Sequence, residues 1–196
     1  MTKLVYGVGI NDKTRPAKVD GKKVKEYQLW QSMLERCFGE KLQTRYPTYK
    51  GCNVSDNFLN YRYFYDWCQE QIGFGKVDEK GRSWCLDKDL LFVGNKTYSE
   101  TACVFVPQEI NKFFNEYGNA RGEYPLGVCF NKVLGKFQAY CAVNSNQQHL
   151  GLFNTPQEAF AVYKPFKENL CKQLALKWQT EIDERLFNAM MNWTVN

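Results

Sequence analysis

The feature that most constrains this 196-residue chain is a well-marked helix start placed directly after three short alternating runs. In the stretch TPQE, Thr155 suits the N-cap, Pro156 suits the first helical position, and Glu158 completes a capping box. The runs before it, LGVCFNKV, KFQAYCAVN and QHLGLF, alternate apolar with polar residues, as strands with one buried face do. The sequence therefore predicts three strands followed by a helix that begins at residue 155.

The middle run separates into two faces, because successive side chains of a strand point to opposite sides. The apolar set, which we expect to pack on the helix, comprises Phe137, Ala139, Cys141 and Val143. The set that we expect to face outward comprises Lys136, Gln138, Tyr140 and Ala142. Turns are predicted at Leu134-Gly135 and over NSNQQ, which places His149, the only histidine, at the start of the third strand.

Punctuation along the chain predicts its domain organisation. The stretch GNARGEYPLG holds three glycines and one proline in ten residues, which is typical of a linker. Pro165 lies inside the predicted helix and predicts a kink there or a break just before it. We expect a first module over residues 1–117, a linker over 118–126, a second module over 127–178, and a tail over 179–196 that continues the helix.

Apolar residues recur at helical spacing in two stretches of the first module. One helix is expected from Lys25 to near Gly39, with its stripe at Tyr27, Trp30, Met33, Leu34 and Cys37. A second helix is expected with its stripe at Phe58, Tyr61, Phe64, Tyr65 and Cys68. Together with a short strand expected over LVYGVGI, these elements predict the α+β fold class.

The segment GRSWCLDKDLLFVGNKTYSETACVFVP mixes strand and turn signals. It predicts a strand over residues 83–91, a turn at Gly94-Asn95, a one-turn helix capped by Ser99, and a further helix over QEINKFFNEY. Asp87 and Asp89 lie two apart on the predicted strand, so both carboxylates should point to one face. Carboxylates are hard oxygen ligands of the kind that Mg²⁺ prefers.

Composition and charge narrow the function classes. The eight cysteines include no C-x-x-C pair, so the zinc-ribbon spacing is absent and reduced, mostly buried thiols are expected. No apolar run reaches about 18 residues and no signal-peptide pattern is present, so no membrane segment is expected. The net charge is +5 over residues 1–60 and +4 over 121–178. Basic blocks are compatible with nucleic acid and also with a solvated charged surface.

Three stretches carry a resemblance in the first module: YQLWQSMLERCF, YPTYKGCNVSDNF and, above all, CLDKDLLFVGNKTYSETACVFVP. Through them, residues 5–117 resemble the HNH-type endonuclease-like proteins of bacteriophages. The resemblance implies a ββα-containing module in which a histidine general base, a loop asparagine and a divalent metal act together. Laid over this chain, the loop asparagine falls on Asn95 and the base position falls on or beside Asp87.

The motif departs from that family because no histidine lies near it. Imidazole suits a general base near neutral pH, whereas an ordinary carboxylate is a weak base. The candidate catalytic residues are therefore Asp87, Asp89 and Asn95, and the candidate metal ligands are Asp87 and Asp89. We expect no cofactor in a non-catalytic protein, and Mg²⁺ if the protein is a nuclease.

A second resemblance is carried by Gly127-Val128, by GKFQA, by LGLFNT, and by Glu158-Ala159 followed by Tyr163. These match, in order, the pattern of the Apetala/ethylene-response-factor (ERF) DNA-binding domain, which also occurs in phage endonucleases and integrases. The resemblance implies a three-stranded antiparallel sheet that lies in the DNA major groove and is backed by a helix. The departures are Val162, where the family has alanine, and an outward face that lacks the family's arginines.

The candidate DNA contacts follow from the outward face and from that resemblance. They are Asn131, Lys132, Lys136, Gln138, Tyr140 and His149, with Arg121 as a phosphate contact from the linker. Glutamine can read adenine, and lysine can meet guanine or phosphate. His149 falls where the family places a tryptophan against DNA. With so few cations on this face, we expect modest affinity that draws on the basic block over residues 1–60.

Three interpretations remain open at this point. The first is a phage-encoded double-stranded DNA-binding protein, selective for sequence or structure, that has lost the nuclease histidines and acts in the cytoplasm of the bacterial host. The second is a Mg²⁺-dependent HNH-type, or homing, endonuclease that uses carboxylates in place of histidine. The third is a binder or inhibitor of a host defence protein, with Tyr46, Tyr49 and Tyr61 as an exposed interface.

Overall fold

The computed structural model describes residues 3–115, 123–143 and 146–195 of the chain. It is an α+β protein that divides into two compact units. Unit 1 comprises Met1–Gln108 with Glu181–Leu186, and unit 2 comprises Glu109–Thr180 with Phe187–Asn196. Residues 118–122 of the predicted linker lie outside the described residues.

Unit 1 is built from short helices and very short strands. Its helices are α1 Lys25–Phe38, α2 Glu40–Arg45, the 3-10 turn Pro47–Tyr49, α3 Asp56–Leu59 and α4 Tyr61–Glu70. Its strands are β1 Lys18–Val19, β2 Lys22–Lys23, β3 Asn53–Val54, β4 Cys85–Asp87, β5 Thr97–Tyr98 and β6 Val104–Val106. β1 pairs antiparallel with β2, β3 pairs parallel with β5, and β4 pairs antiparallel with β6. Helix α5, Gln108–Asn115, follows β6 in the chain, and all of it except Gln108 belongs to unit 2.

The core of unit 1 is aromatic and lies where α1 packs on α3 and α4. The predicted stripe of α1 is confirmed at its central positions, since Trp30 and Leu34 are fully buried and Cys37 is nearly so. The Trp30 indole N–H donates to the carbonyl oxygen of Phe58 at 2.7 Å, which satisfies its one polar group in this apolar setting. This tie connects α1 to the start of the second helical stretch.

The second helical stretch is two helices, and the prediction of a single helix is wrong. Asn60 ends α3, and its side-chain oxygen accepts the backbone N–H groups of Arg62 and Tyr63, so it caps α4. Tyr61 is fully buried and donates its hydroxyl to the carbonyl of Pro16 at 2.7 Å. Tyr61 is therefore a core residue, and the expectation that it forms part of an exposed interface is wrong.

Two further local predictions in unit 1 are wrong. LVYGVGI is not a strand. The chain reverses direction within it, and a single antiparallel bridge joins Val5 to Gly9. Ser99 does not open a helix. Its hydroxyl accepts the backbone N–H of Ala102 at 3.2 Å, which stabilises a turn before β6.

Unit 2 confirms the three strands and the helix start predicted from TPQE. Strands β7 Val128–Asn131, β8 Lys136–Val143 and β9 Asn146–Phe153 form an antiparallel sheet in that order, followed by α6, Pro156–Trp178. The Thr155 hydroxyl accepts the Glu158 N–H at 3.2 Å, and the Glu158 carboxylate accepts the Thr155 N–H at 3.3 Å. The capping box thus closes as predicted.

Helix α6 continues through Pro165, so the break allowed for there does not occur. Residues on both sides of the proline, including Tyr163 and Cys171, are buried against the rest of unit 2 and hold the helix together. The tail is not a continuation of this helix. A turn follows Trp178, and a new helix, α7 Glu184–Met191, begins where the Asp183 carboxylate accepts the Arg185 N–H at 2.8 Å.

The inner face of the sheet packs on α6 and forms the core of unit 2. Ala139 and Cys141 of β8 meet Ala159 and Tyr163 of α6 in a buried cluster with Val195. The predicted apolar face of β8 is therefore confirmed at Ala139 and Cys141. Small residues on the strand allow α6 to approach closely, and the Tyr163 ring fills the remaining space against the backbone at Gly127.

Gly127 tests this packing, since it has φ +72° and a methyl group there would lie 2.1 Å from the Tyr163 ring. We expect Gly127→Ala to lower the free energy of unfolding by roughly 3 kcal/mol or more, from backbone strain and overpacking together. Gly135→Ala is the matched control, because Gly135 has φ +61° but open space around it, and about 1 kcal/mol of strain is expected. Urea unfolding of both variants measures the difference, and equal losses would contradict the packing.

Candidate functional site

The outer face of the β7–β9 sheet collects most of the residues predicted to contact DNA. Cross-strand pairing places Lys136 opposite Asn131, Gln138 opposite Cys129 and Leu152, and Tyr140 opposite His149. Paired residues share a face, so all of these side chains lie on the side away from α6. The outward positions of the three strands are Cys129, Asn131, Lys136, Gln138, Tyr140, Ala142, Gln147, His149 and Leu152.

A β-bulge in β9 decides which way His149 points. Ala139 pairs with Gly151 and the next residue, Tyr140, pairs with His149, so Leu150 is an extra residue in β9. Leu150 packs against the inner core cluster, whereas His149 is exposed on the outer face beside Tyr140, with ring centroids 5.0 Å apart. With regular alternation from Phe153, His149 would face the core.

The position of His149 along its strand differs from the prediction. Strand β9 begins at Asn146, because Val143 already pairs with it across the hairpin. The NSNQQ turn is therefore shorter than predicted, and residues 144 and 145, which connect the strands, lie outside the described residues. His149 lies in the middle of β9 as a result, opposite the central strand.

Three further residues were predicted to contact DNA: Asn131, Lys132 and Arg121. The Asn131 side-chain oxygen accepts the N–H groups of Val133 and Leu134 at 3.0 and 3.1 Å, so Asn131 shapes the turn between β7 and β8. Lys132 is exposed in that turn. Arg121 lies outside the described residues.

The outer face also has a polar contact that the sequence did not predict. The Cys129 thiol is exposed and donates to the Gln138 side-chain oxygen at 3.9 Å, a weak contact across the β7–β8 pair. The three strands contain Lys136 as their one charged residue and no aspartate or glutamate. An exposed sheet face without carboxylates suits an anionic partner better than a cationic one.

The acidic candidates lie in unit 1, at the end of β4. The strand ends at Asp87, so the prediction of a strand over residues 83–91 is wrong, and Asp89 does not share a strand face with Asp87. The cause is local: one Asp87 carboxylate oxygen accepts the N–H groups of Asp89 and Leu90, both at 2.9 Å, and bends the chain. The bend still brings the two carboxylates together.

Burial, and next the charge of Asp89, raise the pKa of the Asp87 carboxyl to about 6. Lys88, only 8% exposed, lies beside this pair. Its ammonium donates to the Asp89 carboxylate and to the Asn95 carbonyl, both at 3.2 Å. The lysine therefore supplies the positive charge that balances the acidic turn.

Asn95 braces the loop that leads from β4 to β5. Its side-chain amide donates to the carbonyl oxygens of Lys88 at 2.6 Å and Thr97 at 2.7 Å, and its oxygen accepts the Thr97 N–H at 3.2 Å. Both ends of the side chain are thus used within the loop. The contacts of this candidate catalytic residue are therefore structural.

The acidic turn fits a Mg²⁺ site poorly. One Asp87 oxygen is held by two backbone amides, and the Asp89 carboxylate is held by the Lys88 ammonium. Over residues 3–115, 123–143 and 146–195, no three His, Cys, Asp or Glu side chains lie close enough together to hold a metal ion. We therefore derive no catalytic step through a metal at Asp87, Asp89 and Asn95.

The thiols and the helices add two facts. None of the eight cysteines forms a disulfide bond, six of them are buried and Cys129 is exposed, so the prediction of mostly buried thiols is confirmed. Within the described part of the chain, no helix has the length and apolarity needed to cross a bilayer.

Comparison of this chain with protein-family models, with curated proteins and with solved structures gives no match.

Asp87 yields a pH-dependent prediction. Its carboxyl binds a proton more tightly in the folded protein than in the unfolded chain, so this residue makes the free energy of unfolding fall as pH rises from about 4 to about 6. Asp87→Asn keeps an oxygen to accept both backbone amides but carries no charge. We expect it to be more stable than the wild type by about 1–2 kcal/mol at pH 7.5, and nearly equal to it at pH 4.

Urea unfolding at both pH values checks this expectation, with Asp20→Asn in the exposed β1–β2 turn as the surface control. A stability difference between Asp87→Asn and wild type that does not change with pH would show that the pKa of Asp87 is not raised.

Proposed function

We propose that the protein binds double-stranded DNA through the outer face of β7–β9, which enters the major groove. The observation that carries the proposal is the row of Lys136, Gln138 and Tyr140 on the central strand, flanked by His149 and backed by α6 on the opposite face. A row of long polar side chains without any carboxylate complements the base edges and phosphates of a groove. The resemblance to the ERF domain points the same way.

The spacing of the row supports sequence reading. Residues two apart on a strand are separated by about 6.6 Å, which is close to two base-pair steps at about 3.4 Å each. A strand that follows the groove can therefore present Lys136, Gln138 and Tyr140 to alternate base pairs. The glutamine amide can pair with adenine, the lysine with guanine or phosphate, and the two rings can contact thymine methyl groups or sugars.

The cation count argues for modest affinity from this face alone. Lys132 and Lys136 are the cations that the described part of the sheet and its first turn supply. Phosphate contacts dominate DNA affinity, so further binding energy has to come from elsewhere in the chain. The net charge of +5 over residues 1–60 makes unit 1 the natural source, and covalent linkage of two weak sites raises their combined affinity.

The biological setting is part of the same proposal. Both resemblances in the sequence are to domains found in phage proteins, so we propose that the protein is phage-encoded and acts on DNA in the cytoplasm of the bacterial host. The acidic turn of unit 1, neutralised by Lys88, supports a binding role over catalysis.

The double variant Lys136→Ala/Gln138→Ala tests the reading face. We expect it to weaken binding to duplex DNA by about tenfold or more, because it removes a phosphate or guanine contact and a base contact together. Lys172→Ala/Gln173→Ala is the matched control, since the same residue types are exposed on α6, which packs on the other face of the sheet. Gel-shift titrations at several salt concentrations measure both variants.

The same titrations separate the other interpretations. Equal affinity of the two double variants would refute the assignment of the reading face. Nicking of plasmid DNA with Mg²⁺ or Mn²⁺ that Asp87→Ala abolishes would establish the nuclease instead. No binding to duplex DNA at low salt would reject both DNA-based interpretations and leave a host-protein binder, for which Tyr46 is the exposed aromatic candidate.

A further inference from the structure

An apolar tip projects from the loop between β4 and β5 in unit 1. Phe92 is 57% exposed and its neighbour Val93 is 80% exposed. The turn is closed by the Asn95 N–H, which donates to the Phe92 carbonyl at 2.9 Å, with Gly94 at φ +81°. Two consecutive large apolar side chains at the end of a tight turn add nothing to a core, so they are available to a partner.

Hydrogen bonds at the base of the loop hold it in the conformation that exposes the tip. The Asn95 side chain joins the carbonyls of Lys88 and Thr97, and the Lys88 ammonium returns to the Asn95 carbonyl. Asp87 fixes the first turn of the same loop through two backbone amides. A loop ordered before binding loses little conformational entropy when its tip is buried in a partner.

A hydrogen bond ties the loop that carries the tip to a segment that holds two cations. The Lys96 ammonium donates to the Thr48 carbonyl at 2.8 Å, which joins this loop to the segment that carries Arg45 and Lys50. All three cationic side chains belong to exposed residues, and the Arg45 guanidinium lies over the Tyr46 ring at 5.3 Å. The carboxylate on the loop, Asp89, is paired with Lys88. The loop over residues 88–96 and the segment over 45–50 together carry four cations and one carboxylate.

We infer that Phe92 and Val93 form a wedge that enters the DNA minor groove and partly unstacks a base step, while Arg45, Lys50 and Lys96 contact the flanking phosphates. The inference rests on the DNA-binding function proposed above and adds a second contact, in unit 1. Apolar side chains that insert between base pairs beside cations are the means by which minor-groove proteins kink DNA.

A bilayer is the other partner with negative charge beside an apolar interior. Two side chains bury less apolar surface than a single fatty-acyl anchor, which by itself gives only marginal membrane binding. On DNA the tip does not act alone, because the sheet of unit 2 supplies contacts from the same chain. The size of the tip therefore favours DNA.

Ligase-mediated cyclisation of DNA fragments of about 120 bp tests the wedge, since such fragments are shorter than the persistence length and close slowly unless they are kinked. We expect the wild-type chain to accelerate circle formation, and Phe92→Ser/Val93→Ser to lose about fivefold or more of that acceleration. Val77→Ser is the control, since Val77 is as exposed as Phe92 and lies outside the basic block over residues 1–60, and it should behave as the wild type. Thermal unfolding confirms that each variant is folded.

The outcomes separate this inference from the proposed function. If wild type and Phe92→Ser/Val93→Ser cyclise DNA equally while Lys136→Ala/Gln138→Ala loses binding, the wedge is refuted and the reading face stands. If the wild type binds no duplex DNA, both fail. If the wild type sediments with phosphatidylserine vesicles and the tip variant does not, with cyclisation unchanged, the tip is a membrane contact and the inference is overturned.

Discussion

The contact of the Tyr163 ring with the backbone at Gly127 is the constraint on which unit 2 depends. A Cβ atom at residue 127 would lie 2.1 Å from the ring, so α6 can lie this close to β7 only because residue 127 is glycine. Burial also raises the pKa of the Tyr163 hydroxyl, which keeps the residue neutral within the core. Once α6 covers the face with Ala139 and Cys141, the opposite face has to be the one that meets solvent or a partner.

Much of unit 2 could be predicted from local chemistry. TPQE contains its own capping partners, and alternation along β8 assigns its faces without any long-range information. The orientation of His149 could not be predicted this way, because it depends on a β-bulge. Ala139 pairs with Gly151 and Tyr140 pairs with His149, so Leu150 has no partner of its own in β8. The expectation that His149 faces outward is confirmed, but strict alternation from Phe153 would have placed it in the core.

In unit 1, the spacing of apolar residues predicted where helices form. It did not predict where helices and strands end, because local side-chain hydrogen bonds decide those positions. Trp30 and Leu34 lie in the core as their spacing indicates, yet Asn60 divides the second stretch by capping a new helix. Asp87 likewise ends a strand that alternation would continue. Short polar side chains that bind nearby backbone amides compete with regular structure, and sequence spacing does not tell which of the two is more stable.

The same competition explains why the acidic turn and the apolar tip belong together. Asp87 and Asn95 use their side chains to shape the loop, and Lys88 balances its charge. A loop stabilised at its base needs no apolar packing at its end, which leaves Phe92 and Val93 exposed without loss of order. The loop thus contains no histidine and keeps an ordered base with an exposed apolar tip. The proposed wedge needs an ordered loop with an apolar tip, and it needs no proton acceptor of the kind that hydrolysis requires.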